Sequence, residues 1–131
     1  GSETPERTAA VKARFGLPVM KVISVSDAAD IAAARGYEKA ADRLLFDAKP
    51  PKAMKDALPG GNAISFDWSL LKGQSFEKRW MLAGGLHVGN VAEAVRASGA
   101  KAVDLSSGVE DRPGEKSVSK IKEFLALAKT L

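Results

Sequence analysis

Short apolar runs alternate with stretches whose apolar positions recur at helical spacing. The runs predict four strands, at residues 19–25, 43–47, 79–83 and 101–105. The helical stretches predict helices at 5–16, 28–36, 88–98 and 117–129, and a short one at 66–71. Alternation of strands and helices is typical of a parallel sheet with right-handed crossovers. The chain is therefore predicted to be α/β, with four parallel β/α units.

Two predicted strands end in glycine or small polar residues before the next helix. Gly84 and Gly85 follow the third strand, and Ser107 and Gly108 follow the fourth. Glycine after a strand is commonly just a tight turn. Two such junctions in consecutive β/α units, however, let backbone N–H groups and helix N-termini approach an anion closely. The sequence therefore predicts that these four residues bind phosphate.

Two carboxylates lie at the same predicted edge of the sheet. Asp47 ends the second strand, and residues 48–65 after it are rich in proline and glycine, as active-site lids often are. Asp47 would act as a general acid if burial raised its pKa, or else would only cap the loop. Asp104 lies within the fourth, apolar strand, so it is either functional or paired with a neighbouring lysine.

Composition narrows the classes of function. The 131 residues, 45% of them hydrophobic, predict one domain spanning 1–131, in which Gly1 and Ser2 resemble the remnant of an expression tag. The net charge of +4 (20 − 16) is spread without a dense basic run, and no apolar stretch is long enough to cross a bilayer. We expect a cytoplasmic protein that binds neither nucleic acid nor membrane. The absence of cysteine and the single histidine, His87, disfavour a metal site.

Several motifs together resemble the phosphoribosylanthranilate isomerase family of tryptophan biosynthesis. They cover residues 44–49, 58–69, 82–91 and 103–114, in the order of the family. The resemblance implies an eight-stranded (β/α)8 TIM barrel, of which this chain would be the C-terminal half. On this interpretation the open strand edges would be covered by the missing N-terminal half or by self-association.

The resemblance also implies a reaction and roles for the site residues. The reaction is the Amadori rearrangement of N-(5-phosphoribosyl)anthranilate to 1-(2-carboxyphenylamino)-1-deoxyribulose 5-phosphate, without metal or cofactor. Asp47 matches the general acid and Asp104 a substrate-binding carboxylate, while Gly84, Gly85, Ser107 and Gly108 match the phosphate loops. The family's general base is a cysteine, which this chain lacks, so the chain alone is predicted to be inactive. Two alternatives stay open: another ribose-phosphate barrel enzyme, and a non-catalytic half-barrel module for assembly.

Overall fold

A parallel sheet organises the computed structural model, which describes residues 1–48 and 65–131. Its strands are β1 (Met20–Val25), β2 (Arg43–Ala48) and β3 (Arg79–Leu82), in the spatial order β1-β2-β3. Both neighbouring pairs are parallel. The predicted α/β class and the first three strands are confirmed.

Within residues 1–48 and 65–131, four α-helices accompany the strands. They are α1 (Pro5–Phe15), α2 (Ala28–Ala34), α3 (Val91–Ser98) and α4 (Val118–Ala128). Local chemistry sets their ends: the Thr4 side chain accepts a hydrogen bond from the Arg7 N–H, and Asp27 does the same for the first turn of α2. Gly16, with φ of 64°, closes α1 in the left-handed conformation. The predicted short helix is also present, as the 3-10 turn Trp68–Leu71 capped by Asp67.

The core lies between the sheet and its helices. Phe46 of β2 is fully buried, and its ring packs 5.1 Å from Phe76 and 5.5 Å, edge-on, from Trp80. Such aromatic pairs contribute about 0.5–1.5 kcal/mol beyond the area they bury. Ile31 of α2 and Leu82 of β3 belong to the same cluster. Side chains alternate along a strand, so the residues between these core positions face away from the helices.

The predicted fourth strand at 101–105 is wrong in extent. With the other described residues, this stretch forms only one isolated parallel bridge, between Leu82 and Val103. The Leu82 N–H donates to the Ala102 carbonyl at 3.0 Å, and the Asp104 N–H donates to the Leu82 carbonyl at 2.8 Å. The ladder stops there because the chain turns at once into the 3-10 helix Ser107–Val109.

The segment before α4 forms a hairpin. Strands β4 (Glu110–Arg112) and β5 (Glu115–Lys116) pair antiparallel across Gly114, which has φ of 83°. Arg112 and Glu115 form a 2.7 Å ion pair on it. The second junction therefore leads into a 3-10 turn and a hairpin, and α4 begins only afterwards. Within 1–48 and 65–131, no helix is both long and apolar enough to span a membrane.

Candidate active site

The sheet register places the two predicted carboxylates in one row. Phe46 pairs with Leu82, which in turn pairs with Val103. Asp47 and Asp104 each come one residue later, so both face away from the helix layer. Two strand spacings separate them, on the order of 10 Å. The carboxyl end of the sheet thus presents two carboxylates on the same face.

Asp47 is half-buried, and burial raises its pKa above the ordinary value of 3.8. A backbone hydrogen bond at Ala48 opposes this effect, and the negative charge of Asp104 adds to it. Asp104 itself is exposed, and it forms no ion pair with any other described residue. Asp47 therefore keeps a proton to higher pH than an ordinary aspartic acid, as a general acid requires.

The first glycine junction is pressed against the end of β2. Gly84 and Gly85 have φ of 90° and 63°, a region that other residues rarely adopt. A Cβ atom on Gly84 would lie 2.4 Å from the Ala48 nitrogen and 2.9 Å from Asp47 Oδ1. Only glycine fits there, because the loop passes directly beside the candidate acid.

The second junction packs onto the first. A Cβ atom on Gly108 would lie 1.9 Å from the Leu86 carbonyl oxygen and 3.0 Å from His87 Cα. The structure therefore brings together Asp47, Gly84, Gly85 and Gly108. Since Ser107 adjoins Gly108 in the 3-10 turn, all the predicted phosphate residues lie in one pair of touching loops.

Asn90 organises the first loop, a role that the sequence did not reveal. Its Nδ2 donates to the Gly85 carbonyl at 3.0 Å, and its Oδ1 accepts the His87 N–H at 2.8 Å. Although Asn90 is the N-cap residue of α3, its side chain makes no capping bond to that helix. His87 is exposed, and its Nδ1 accepts the Gly89 N–H at 3.1 Å.

The hairpin supports the second loop through Lys116. Its ammonium group donates to the Ser106 carbonyl at 2.9 Å and to Ser106 Oγ at 3.0 Å, and it pairs with the Glu110 carboxylate.

Residues 49–64 of the predicted lid lie outside the described residues. Among those that the structure describes, no group of three His, Cys, Asp or Glu side chains could hold a metal ion.

The chain is similar in sequence to known proteins. The family model for N-(5'-phosphoribosyl)anthranilate (PRA) isomerase matches residues 1–126. The isomerase of Rhodospirillum centenum is 60% identical over 131 residues, which are 100% of this chain and 61% of that protein. The isomerase of Paramagnetospirillum magneticum is 63% identical over 129 residues, 98% of this chain and 59% of that protein. The chain thus spans about three fifths of the length of these curated relatives.

Solved structures of the same enzyme superpose on the chain. The isomerase of Thermotoga maritima gives a TM-score of 0.80 at 35% identity, over 100% of this chain and 60% of that one. The Thermus thermophilus enzyme gives 0.74 at 33% identity, over 100% of this chain and 59% of that one. Sequence and structure agree, and the chain belongs to the phosphoribosylanthranilate isomerase family.

Proposed function

We propose that the protein serves in tryptophan biosynthesis as an isomerase of N-(5'-phosphoribosyl)anthranilate, with Asp47 as the general acid. The observation that carries this proposal is the position of Asp47. It is half-buried at the carboxyl end of β2, its pKa is raised by burial, and it touches the glycine junction that belongs to the phosphate loops. Family membership supplies the substrate.

The chemistry assigned to Asp47 is the opening of the sugar ring. Its carboxylic acid gives a proton to the furanose oxygen, the C1–O bond breaks, and the anthranilate nitrogen lone pair forms the C1=N bond of a Schiff base. A base then removes the proton from C2, which gives an enolamine. Tautomerisation of the enolamine, with a proton added at C1, yields the 1-amino-1-deoxyketose. The reaction moves protons only, so the proposal includes no metal and no cofactor.

The phosphate of the substrate is assigned to the two touching loops. Gly84 and Gly85 have no side chains to shield their backbone N–H groups, and neither does Gly108. Backbone N–H groups of this kind, together with the start of a helix, form concavities that favour anions. Ser107 adds a hydroxyl group beside them. Asp104, on the same face as Asp47, is assigned to contact with the sugar or its amine.

The general base is assigned to a part of the whole protein outside these residues. The resemblance makes the base a cysteine, and none occurs among the 131 residues. We propose that the residues form four β/α units of an eight-stranded barrel. This is consistent with their match to 61% of the Rhodospirillum centenum relative and with the position of β1 at the edge of the sheet among the described strands. Alone, the 131 residues should bind phosphate but not turn over substrate.

A fusion enzyme tests the proposal. The part of the Rhodospirillum centenum isomerase outside the match is joined to these 131 residues, and conversion of substrate is followed by chromatography. The fusion should be active, and Asp47→Asn should lower kcat by roughly 10²–10⁴-fold, the usual contribution of a general acid. Asp42→Asn, at the other end of the same strand, is the matched control and should leave kcat unchanged.

Two outcomes would contradict the proposal. An Asp47→Asn fusion with undiminished kcat would contradict the assignment of Asp47 as the general acid. Turnover by the 131 residues alone would remove the assignment of the base to another part of the protein. An inactive fusion that still binds phosphate would favour a different ribose-phosphate enzyme or a non-catalytic module.

A further inference from the structure

The ammonium group of Lys116 has no hydrogen left for a ligand. A lysine ammonium group carries three N–H donors. Two of them go to the carbonyl and the hydroxyl of Ser106, at 2.9 and 3.0 Å, and the third goes to the Glu110 carboxylate. A lysine beside a phosphate loop would ordinarily be taken for a phosphate ligand, but this one is already saturated by protein atoms.

The acceptors of Lys116 are themselves held in place. Glu110 Oε2 accepts the Gly114 N–H at 3.2 Å, and the Glu110 carbonyl accepts a hydrogen bond from Lys120 Nζ at 2.6 Å. Lys116 also pairs with Glu110 across the hairpin. Glu110 is only 13% exposed at its side chain, and Lys116 holds its pKa below the ordinary value. The Lys116–Glu110 pair is thus anchored to the hairpin and, through Lys120, to α4.

Ser106 connects this pair to the phosphate loop. It is the residue immediately before Ser107 and Gly108, and its carbonyl also accepts the Val109 N–H that closes the 3-10 turn, at 3.3 Å. Lys116 therefore binds Ser106, the residue at which the loop begins. Gly108 has little room for adjustment, because it already lies against the Leu86 carbonyl. A shift of Ser106 would be transmitted directly to the backbone N–H groups of the loop.

We propose that Lys116 is a positioning residue that holds Ser106–Gly108 in the anion-binding geometry, with Glu110 as its counter-ion, and that it is not a ligand of the phosphate. This inference rests on the proposed phosphate site.

Replacement of Glu110 distinguishes the two roles, because they predict opposite changes in phosphate affinity. If Lys116 bound phosphate directly, Glu110→Gln would free its charge and strengthen binding. If Lys116 positions the loop, Glu110→Gln releases Lys116 and weakens binding. Glu115→Gln is the matched control, because it removes the same charge from the same hairpin at a residue that pairs with Arg112 instead. Lys122→Met, at an exposed position on α4, is the control for Lys116→Met.

The experiment is a titration of the 131-residue chain with inorganic phosphate, followed by the ¹H–¹⁵N amide signals of Gly84, Gly85, Ser107 and Gly108. Lys116→Met and Glu110→Gln should each raise the Kd roughly 10-fold, the scale of one lost charge-assisted hydrogen bond. The double variant should be no weaker than Lys116→Met alone, because the two residues act as one unit. Dispersed amide signals in the same spectra report that each variant is folded.

The possible outcomes of the titration contradict different proposals. No phosphate-induced shift in the unsubstituted chain overturns the phosphate site and, with it, this inference. Binding by the unsubstituted chain with an unchanged Kd in Lys116→Met, or a lower Kd in Glu110→Gln relative to Glu115→Gln, overturns the inference alone. In the fusion enzyme, Lys116→Met should raise KM and leave kcat unchanged. A fall in kcat at constant KM would contradict a positioning role.

Discussion

The two ends of strand β2 shift the pKa of a carboxyl group in opposite directions. Asp42, just before the strand, accepts hydrogen bonds from Lys12 Nζ at 2.6 Å and from the Val19 N–H at 2.8 Å, and these hold its pKa below 3.8. Asp47, near the end of the strand, has no cation beside it among the described residues, and burial raises its pKa. One end stabilises the charged form of its carboxyl group, and the other end disfavours it.

The neighbourhoods of these residues follow the same division. At the amino end, Arg35 donates to the Ser75 carbonyl at 2.7 Å, and Glu38 accepts the Glu77 N–H at 2.6 Å, so charged groups join successive segments. At the carboxyl end, glycines pass close to backbone atoms instead. The difference indicates that charged groups at the amino end stabilise the fold, and it is consistent with the site proposed at the carboxyl end.

The largest effect is expected at Gly84. Gly84→Ala should lower the free energy of unfolding by about 3 kcal/mol, because the new methyl group meets the Ala48 nitrogen at 2.4 Å in a left-handed conformation. Gly73→Ala is the matched control: its φ of 75° is similar, but open space surrounds it, so about 1 kcal/mol is expected. Urea unfolding measures both. If the two variants lost equal free energy of unfolding, crowding against Ala48 would not be the reason for glycine at position 84.

A smaller effect, opposite in sign at the two ends, is expected from neutralising the carboxylates. Burial raises the folded-state pKa of Asp47, so its ionisation penalises the folded state, and the penalty grows as the pH rises from 3.8 through the folded pKa. Asp47→Asn should therefore raise Tm at pH 7 and have no effect at pH 3. Asp42 contributes stability above 3.8 that is lost as the pH falls through its lowered folded pKa.

Asp42→Asn should accordingly lower Tm at pH 7, and the loss should shrink as the pH is lowered. Calorimetric scans of both variants at several pH values measure these effects. A destabilised Asp47→Asn variant at pH 7 would show that its carboxylate is a structural group like that of Asp42.

Local signals accounted for much of this architecture. Helix ends were predictable because Thr4, Asp27 and Gly16 act on backbone within a few residues of themselves. The glycine junctions were predictable as backbone features, whereas their contact with Asp47 depends on how closely the loops pack at that edge of the sheet. The apolar run at 101–105 misled, since a short apolar run indicates extended chain but not how many ladder bonds a neighbouring strand supplies.

Other features depend on contacts between segments that no local pattern records. The hairpin at Glu110–Lys116 has no alternation of apolar and polar residues, and the paired charges Arg112–Glu115 and Lys116–Glu110 hold it together. Asn90 reads as a helix cap, yet its side chain binds the preceding loop. When a polar side chain has several possible hydrogen-bond partners, the partner it takes can be identified only from the folded structure.

The most direct test of the account is a pH titration of the Asp42 and Asp47 side-chain carboxyl carbons by NMR in one sample. Asp42 should titrate below 3.8 and Asp47 above it. In Asp104→Asn the Asp47 midpoint should fall but stay above 3.8, because burial is the larger cause of the shift. An Asp47 that titrates at or below the midpoint of Asp42 would contradict the claim that burial at the carboxyl end raises the pKa of this carboxyl group.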